Sequence, residues 1–334
     1  MTTPQFDIRP SLIKGDPADA YLHWTKEVMR LESLNPKVLM DFSAPNSGVL
    51  CGVEEAKALL LNVLPKVEQD NQTNNGNDVV QVWAMEEGEK FEAGEPVLRV
   101  ISKYASFGLY ETSILGMLSS STGWATAAND CVESAGETTV IAYGARHIHP
   151  NVAHILDYAS VIGGCSSVST ILGSKHAGRN PIGNMPHSLP LLFGDTVAAA
   201  QAFDKHIGME TQRIVVVDTF KDEAEEALNV AEALRDRLRG IRLDTPFERG
   251  GVTPMLVREI RNRLDHMNFK HVEIYVSGGF NPEKIREFKE SEAPVNGYLV
   301  GSYISSAVPN EFRADILEIE DKHCLLYTSD AADE

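Results

Sequence analysis

Two stretches late in the chain, SGGFNPEK at 277–284 and LVGSYIS at 299–305, set glycines beside residues that begin helices. Gly278, Gly279 and Gly301 let backbone N–H groups close on a ligand. The helix opened by Asn281-Pro282 adds free N–H groups and a positive dipole end. With Ser277 and Ser302 they make a candidate phosphate cradle. In IRLDTPFERGG, Arg242 and Asp244 are offset by two, so both leave one side of a strand. A cation and a carboxylate there suit a phosphorylated sugar, with arginine on phosphate and aspartate on a hydroxyl or metal. An internal salt bridge is compatible with both roles. In GARHIHP, Arg146 can clamp an anion through its planar guanidinium. The nearby His147, His149 and His154 lack a carboxylate at a spacing such as HExxH, so no metal site is expected. In NPIGNMPHS, His187 follows Pro181, Gly183 and Pro186 on a stiff loop rather than an apolar helix face. An imidazole held there can act in group transfer or remain a loop residue.

The elements that must hold these residues follow from periodicity. RIVVVD, IRLD, VEIYVSGG and NGYLVGS are short β-rich runs in the second half, separated by helical segments. Asp222 with Glu225 reads as a capping box, and Thr253-Pro254 and Asn281-Pro282 each read as an N-cap followed by proline. Such alternation means parallel strands with crossover helices. Asp218, Asp244, Ser277-Gly278-Gly279 and Gly301-Ser302 all fall at strand carboxyl ends, which a closed barrel gathers at one mouth. Neither GxGxxG after a strand nor GxxxxGK[ST] occurs, which removes the dinucleotide and P-loop fingerprints. The expected fold is α/β: an irregular, TIM-like barrel behind an N-terminal α+β domain.

The first half reads differently. DAYLHWTKEVMRLESL puts Tyr21, Trp24, Val28 and Leu31 on one helical stripe, which makes Tyr21 a core residue by periodicity. This half then reads as a strand at 37–42, a helix at 54–64, and two β-rich runs around MEEGEKFEAGE that form a small antiparallel module. A polar turn at 68–78 and a long small-residue helix at 111–133 complete it. The expected domains are 1–110, 111–310 and a return segment at 311–323, with 324–334 outside the fold.

Composition excludes several classes. The 334 residues carry a formal charge of −18, a poor match for nucleic acid or an anionic membrane surface. Mean hydropathy is −0.18, and no apolar run approaches the ~20 residues of a membrane span. The N-terminus lacks the pattern of a secretory signal. Four cysteines without CxxC spacing suggest a reducing compartment, so a cytoplasmic location is expected.

YETSILGML, YGARHIHP, IGGCSSVS, GNMPHSLPLLFGDT, VVVDTF, RLDTPFERGG, SGGFNPEKI and GSYIS occur in that order. Together they resemble nicotinate phosphoribosyltransferase of the shorter prokaryotic type, from about residue 17 to 322. The resemblance implies transfer of 5-phosphoribosyl from its 1-diphosphate to nicotinate, coupled to ATP hydrolysis, in NAD salvage. It implies Mg²⁺ with the diphosphate and a homodimer or higher homo-oligomer. Tyr21 would stack on the pyridine ring across a dimer interface, and Arg146 would contact substrate near the nicotinate carboxylate. His187 would be phosphorylated by ATP. Arg242 and Asp244 would contact ribose and phosphate, and Gly278, Gly279, Gly301 and Ser302 would cradle the 5′-phosphate.

The sequence departs from that family at Asn184, usually Thr, at His147, often a second Arg, and at Leu299, usually Gly. The tail CLLYTSDAADE resembles a translated sequencing adapter, and truncation near His323 is expected. The alternatives are quinolinate phosphoribosyltransferase, a related decarboxylating barrel without ATP, and a non-catalytic nucleotide-binding homologue. The long N-terminal region and the MPHS loop weigh here against the quinolinate enzyme.

Overall fold

The computed structural model describes residues 6–64 and 80–324. The polar turn expected at 68–78 and the tail from 325 lie outside them. The chain divides into two compact units, 1–126 with 308–334 and 127–307.

In the first unit, an antiparallel sheet is built around Lys37–Ser43, which pairs with Leu98–Lys103 on one side and Arg313–Ile319 on the other. Val38, Met40 and Phe42 alternate inward from the central strand. They meet Val53, Ala56, Leu59 and Leu60 of the helix Val53–Val63, with Phe91, Phe107 and Leu118 completing the core. Across two of those strands, Arg99 grips Asp41 through both carboxylate oxygens at 2.6 Å.

One expectation fails here. In the helix Ala20–Leu31 the buried residues are Leu22 and Met29. Tyr21, Trp24, Val28 and Leu31 are each more than half exposed. The stripe exists as read, but the chain turns its other side inward, so Tyr21 is not a core residue.

The second unit holds six parallel strands: β1 Thr139–Ala142, β2 Ser167–Val168, β3 Ile214–Val216, β4 Gly240–Leu243, β5 Glu273–Val276 and β6 Gly297–Val300. Their order in the sheet is β2-β1-β6-β5-β4-β3. That is the chain order read around a ring, cut between β2 and β3. Residues 182–185 bridge the cut. The Ile182 N–H donates to Val168 of β2 at 3.2 Å, the Met185 N–H to Ile214 of β3 at 2.9 Å. The result is a curled parallel sheet consistent with a TIM-like fold.

Inside the curl, Ile141, Ile214, Tyr275 and Leu299 pack together, with Tyr143 and Ile182 against them. Leu299 thus sits in this floor and not in the loop beyond β6. The helix starts fall where the sequence puts them. Asp222 accepts from the Ala224 and Glu225 N–H groups, Thr253 from Leu256 and Asn281 from Lys284. Each cap ends the loop that follows a strand, so it fixes that loop's length over the mouth.

Candidate active site

Two residues past β3, Asp218 is a fully buried carboxylate with both oxygens committed. Its Oδ1 accepts from His187 Nε2 at 2.8 Å, and its Oδ2 accepts the Asp244 backbone N–H at 3.1 Å. One side chain therefore orients an imidazole and pins the end of β4. The loop bearing His187 is held close by Gly183. A Cβ there would lie 2.6 Å from the backbone N and O of Gln212, closer than any side chain permits. His187 itself stays partly exposed, at the head of the short helix Ser188–Phe193.

Arg242 leaves β4 on the same side as Asp244 and is buried. Its guanidinium lies 3.4 Å from Asp244 Oδ2, and its buried Nε has no partner among the described residues. Such a group is positioned for a ligand rather than fully spent in an ion pair. Beyond β4, Arg249 reaches Glu223 at 3.1 Å, and Glu223 also accepts from Thr245 at 2.9 Å. Glu226 accepts the N–H groups of Phe220 and Lys221, which ties down the loop after β3.

Gly278 and Gly279 follow β5 with φ of +96° and +69°, two successive left-handed residues that only glycine adopts readily. A Cβ on Gly279 would meet nothing within 4 Å, and one on Gly278 only Asp244 Oδ1 at 3.5 Å. The turn is therefore open on its outer side and adjoins Asp244. Lys284 donates to the Gly278 carbonyl at 3.1 Å and lies 4.4 Å from the Phe280 ring centre. Burial pulls its ammonium pKa below the usual lysine value, against an opposing pull from Glu287. Ser277 is buried and donates its hydroxyl to the Leu243 carbonyl at 3.1 Å, so it braces β4 against β5.

At the far side of the curl, Gly301 adjoins β1. A Cβ on it would lie 3.1 Å from the Tyr143 carbonyl oxygen and 3.3 Å from His147 Nε2. Ser302, exposed, opens the helix Ser302–Ser305. Tyr143 follows β1, with the exposed Arg146 guanidinium 5.5 Å from its ring centre. Asn184, on the bridging segment, donates to the Tyr143 hydroxyl at 2.9 Å.

The second unit thus brings His187, Asp244 and Arg242 together around Asp218, with Gly278 and Gly279 beside Asp244. Arg146 and Gly301 belong to the neighbouring ends of β1 and β6. Tyr21 belongs to the first unit and is no part of this constellation. Its hydroxyl donates to Asp19 at 3.4 Å, and burial, then Asp19 and Glu111, raise its pKa. Sequence reasoning marked Asp218 only as a strand end and missed its grip on His187. It also passed over Tyr143, although that residue directly follows a strand, as the other mouth residues do. No group of three or more metal-ligating side chains is present among the described residues, and no helix among them is long and apolar enough to cross a membrane.

Comparison with known proteins gives the chain's family. Residues 19–122 match the model of the quinolinate phosphoribosyl transferase N-terminal domain, and residues 124–314 match that of its C-terminal domain. The crystal structure of nicotinate-nucleotide pyrophosphorylase from Pyrococcus furiosus is 38% identical with a TM-score of 0.84, over 97% of this chain and 80% of that one. A nicotinate-nucleotide pyrophosphorylase from Ehrlichia chaffeensis, 17% identical, shares the fold at a TM-score of 0.66 over 93% of this chain and all of that one. The nicotinate phosphoribosyltransferase pncB2 of Mycobacterium tuberculosis is 28% identical over 228 residues, 67% of this chain and 48% of that protein. The chain spans about half the length of the curated relatives it matches.

These findings correct the expected activity. An ATP-coupled nicotinate phosphoribosyltransferase rested on linked motifs, and the curated proteins of that name are distant and half shared. The matched domain models, and a structure 38% identical over nearly the whole chain, point instead to the reading first set aside. The MPHS loop and the long N-terminal region do not exclude it. With that expectation falls the ATP-coupled activity. Matched in order by both of its domains, the chain belongs to the quinolinate phosphoribosyl transferase family.

Proposed function

We propose that the chain transfers the phosphoribosyl group of 5-phosphoribosyl 1-diphosphate to quinolinate, releasing diphosphate and CO₂ and leaving nicotinate mononucleotide. The in-order match of both family domains carries this reading. The mouth supports it chemically. The turn at Gly278-Gly279, followed by the helix that Asn281 caps, suits the 5′-phosphate. Ser302 and Gly301 extend that cradle. Arg242 and Asp244, side by side on β4, suit the phosphate and hydroxyls of the sugar. Arg146 suits a carboxylate of the acceptor.

In the transfer, the pyridine nitrogen lone pair forms the bond to ribose C1. The C1–O bond breaks, and its electron pair leaves with diphosphate. The resulting pyridinium nitrogen then stabilises the pair left when the adjacent carboxylate departs as CO₂, and that carbon takes up a proton. His187, oriented by Asp218, is assigned to the charge that develops on the leaving diphosphate. Asp244 fixes the ribose while C1 passes through an oxocarbenium-like state. Mg²⁺ belongs to the substrate, held by the diphosphate oxygens, as a small, hard cation prefers. Tyr21, on its exposed stripe, would close the acceptor site of a second copy in a homodimer.

The test is turnover of carboxyl-labelled quinolinate with 5-phosphoribosyl 1-diphosphate and Mg²⁺, without ATP. Labelled CO₂ and diphosphate should appear in equal amounts. Turnover of pyridine-3-carboxylate with no CO₂ from quinolinate would overturn the reading.

A further inference from the structure

The geometry points to Tyr143 and Asn184 as the element that selects a carboxylate on the pyridine acceptor, Tyr143 donating its phenolic O–H and Asn184 positioning it. This rests on the phosphoribosyl-transfer reading for the identity of the acceptor. It does not rest on it for the pairing itself.

Three observations meet at this point. Tyr143 follows β1 and packs on the floor formed by Ile141, Ile214, Tyr275 and Leu299, so its ring is fixed from below. The Arg146 guanidinium lies 5.5 Å from the ring centre, so a positive charge accompanies the phenol. Asn184 Nδ2 donates to the Tyr143 oxygen at 2.9 Å. A phenol that accepts from an amide keeps its own proton to give away. Among the described residues nothing takes that proton. The partner missing from this arrangement is an acceptor, and beside Arg146 the acceptor best suited is an anion.

Asn184 carries a second mark. Its Oδ1 is buried and has no hydrogen-bond partner among the described residues. Buried polar atoms are seldom left so, and a bound hydroxyl completes this one. The ribosyl substrate brings such hydroxyls to the mouth. Asn184 would then turn one face to the sugar and the other to Tyr143, linking the two substrates through one amide. A hydroxyl side chain at that position is too short to do both.

The experiment is calorimetric titration of quinolinate and of pyridine-3-carboxylate into the full chain and into Tyr143→Phe, Asn184→Ala and the double variant. Melting temperatures are followed in parallel. A hydrogen bond to a charged group predicts that Tyr143→Phe weakens both ligands by roughly 10–100-fold. Affinity for 5-phosphoribosyl 1-diphosphate should stay within about two-fold in that variant, since a phenol proton alone is removed. If Asn184 acts through Tyr143, the double variant binds the pyridine carboxylates no more weakly than Tyr143→Phe alone. A general packing defect would instead lower the melting temperature and weaken both substrates alike. Unchanged binding in Tyr143→Phe overturns the proposal, as do fully additive losses or a parent protein that binds no pyridine carboxylate. Failure of quinolinate turnover with normal pyridine binding would overturn the activity and leave the pairing standing.

Discussion

His187 reaches Asp218 at 2.8 Å through its Nε2, and the carboxylate it meets has no solvent exposure. A buried acid in contact with a partly exposed imidazole gives the ring one fixed orientation. Asp218 simultaneously holds the backbone of Asp244, so one carboxylate ties the His187 loop to the end of β4.

Asp218→Asn should therefore damage the chemical step more than binding. The amide keeps the shape but removes the carboxylate charge that faces the imidazole and the developing charge of the reaction. We expect kcat to fall by roughly 10–100-fold, with the KM for 5-phosphoribosyl 1-diphosphate changing much less. Steady-state kinetics checks this, and a change confined to KM would assign Asp218 to substrate binding.

Arg242 and Arg146 should separate the two substrates. Arg242→Lys keeps the charge but loses the fork that leaves Nε free in the buried site. Its KM for the phosphoribosyl donor should rise roughly ten-fold or more, and Arg146→Ala should do the same for the pyridine acceptor. Crossed substrate titrations test the assignment, and a rise for the wrong substrate in either variant would reverse it.

Gly183→Ala should couple stability to activity. A methyl group 2.6 Å from the Gln212 backbone must push the bridging segment outward. A cost of about 1–3 kcal/mol is expected from overpacking, with loss of turnover because His187 moves with the loop. Normal kinetics at a normal melting temperature would show that the segment yields without consequence.

In the first unit, Glu55 should make stability depend on pH. Burial, then Glu87, raises its carboxyl to about 7, against a lowering by Arg9. The folded state thus holds a proton that the unfolded chain releases from about pH 4 upward. Stability from this group is full below that range and declines as pH rises towards 7. Glu55→Gln should leave the melting temperature unchanged near pH 4 and raise stability at pH 8 by about 1–3 kcal/mol. Thermal melts at the two pH values decide it.

Much of the second unit was legible because local signals agreed. The caps at Asp222, Thr253 and Asn281 mark helix starts by side-chain chemistry that operates within four residues, and the strand-end residues follow from the alternation around them. The His187–Asp218 contact spans 31 positions, and no local pattern encodes such a pairing. The same limit hid Tyr143, whose partner Asn184 is 41 residues away. For the helix Ala20–Leu31, periodicity identified a stripe correctly but could not say which side of the helix its own chain would cover. The acceptor was misread for another reason. Motifs for binding a phosphoribosyl donor are shared among enzymes that differ in the ring they use, so such motifs weigh little on that choice.

The bridging segment at 182–185 has a further meaning for how the candidate site is put together. It carries Asn184 and leads within two residues to His187, and its two N–H groups are what stitch β2 to β3. Closing the ring and placing Asn184 and His187 are therefore a single event, and Ile182 packs on the floor at the same seam. Hydrogen exchange at Ile182 and Met185 would then report how often this seam opens and the His187 loop is released.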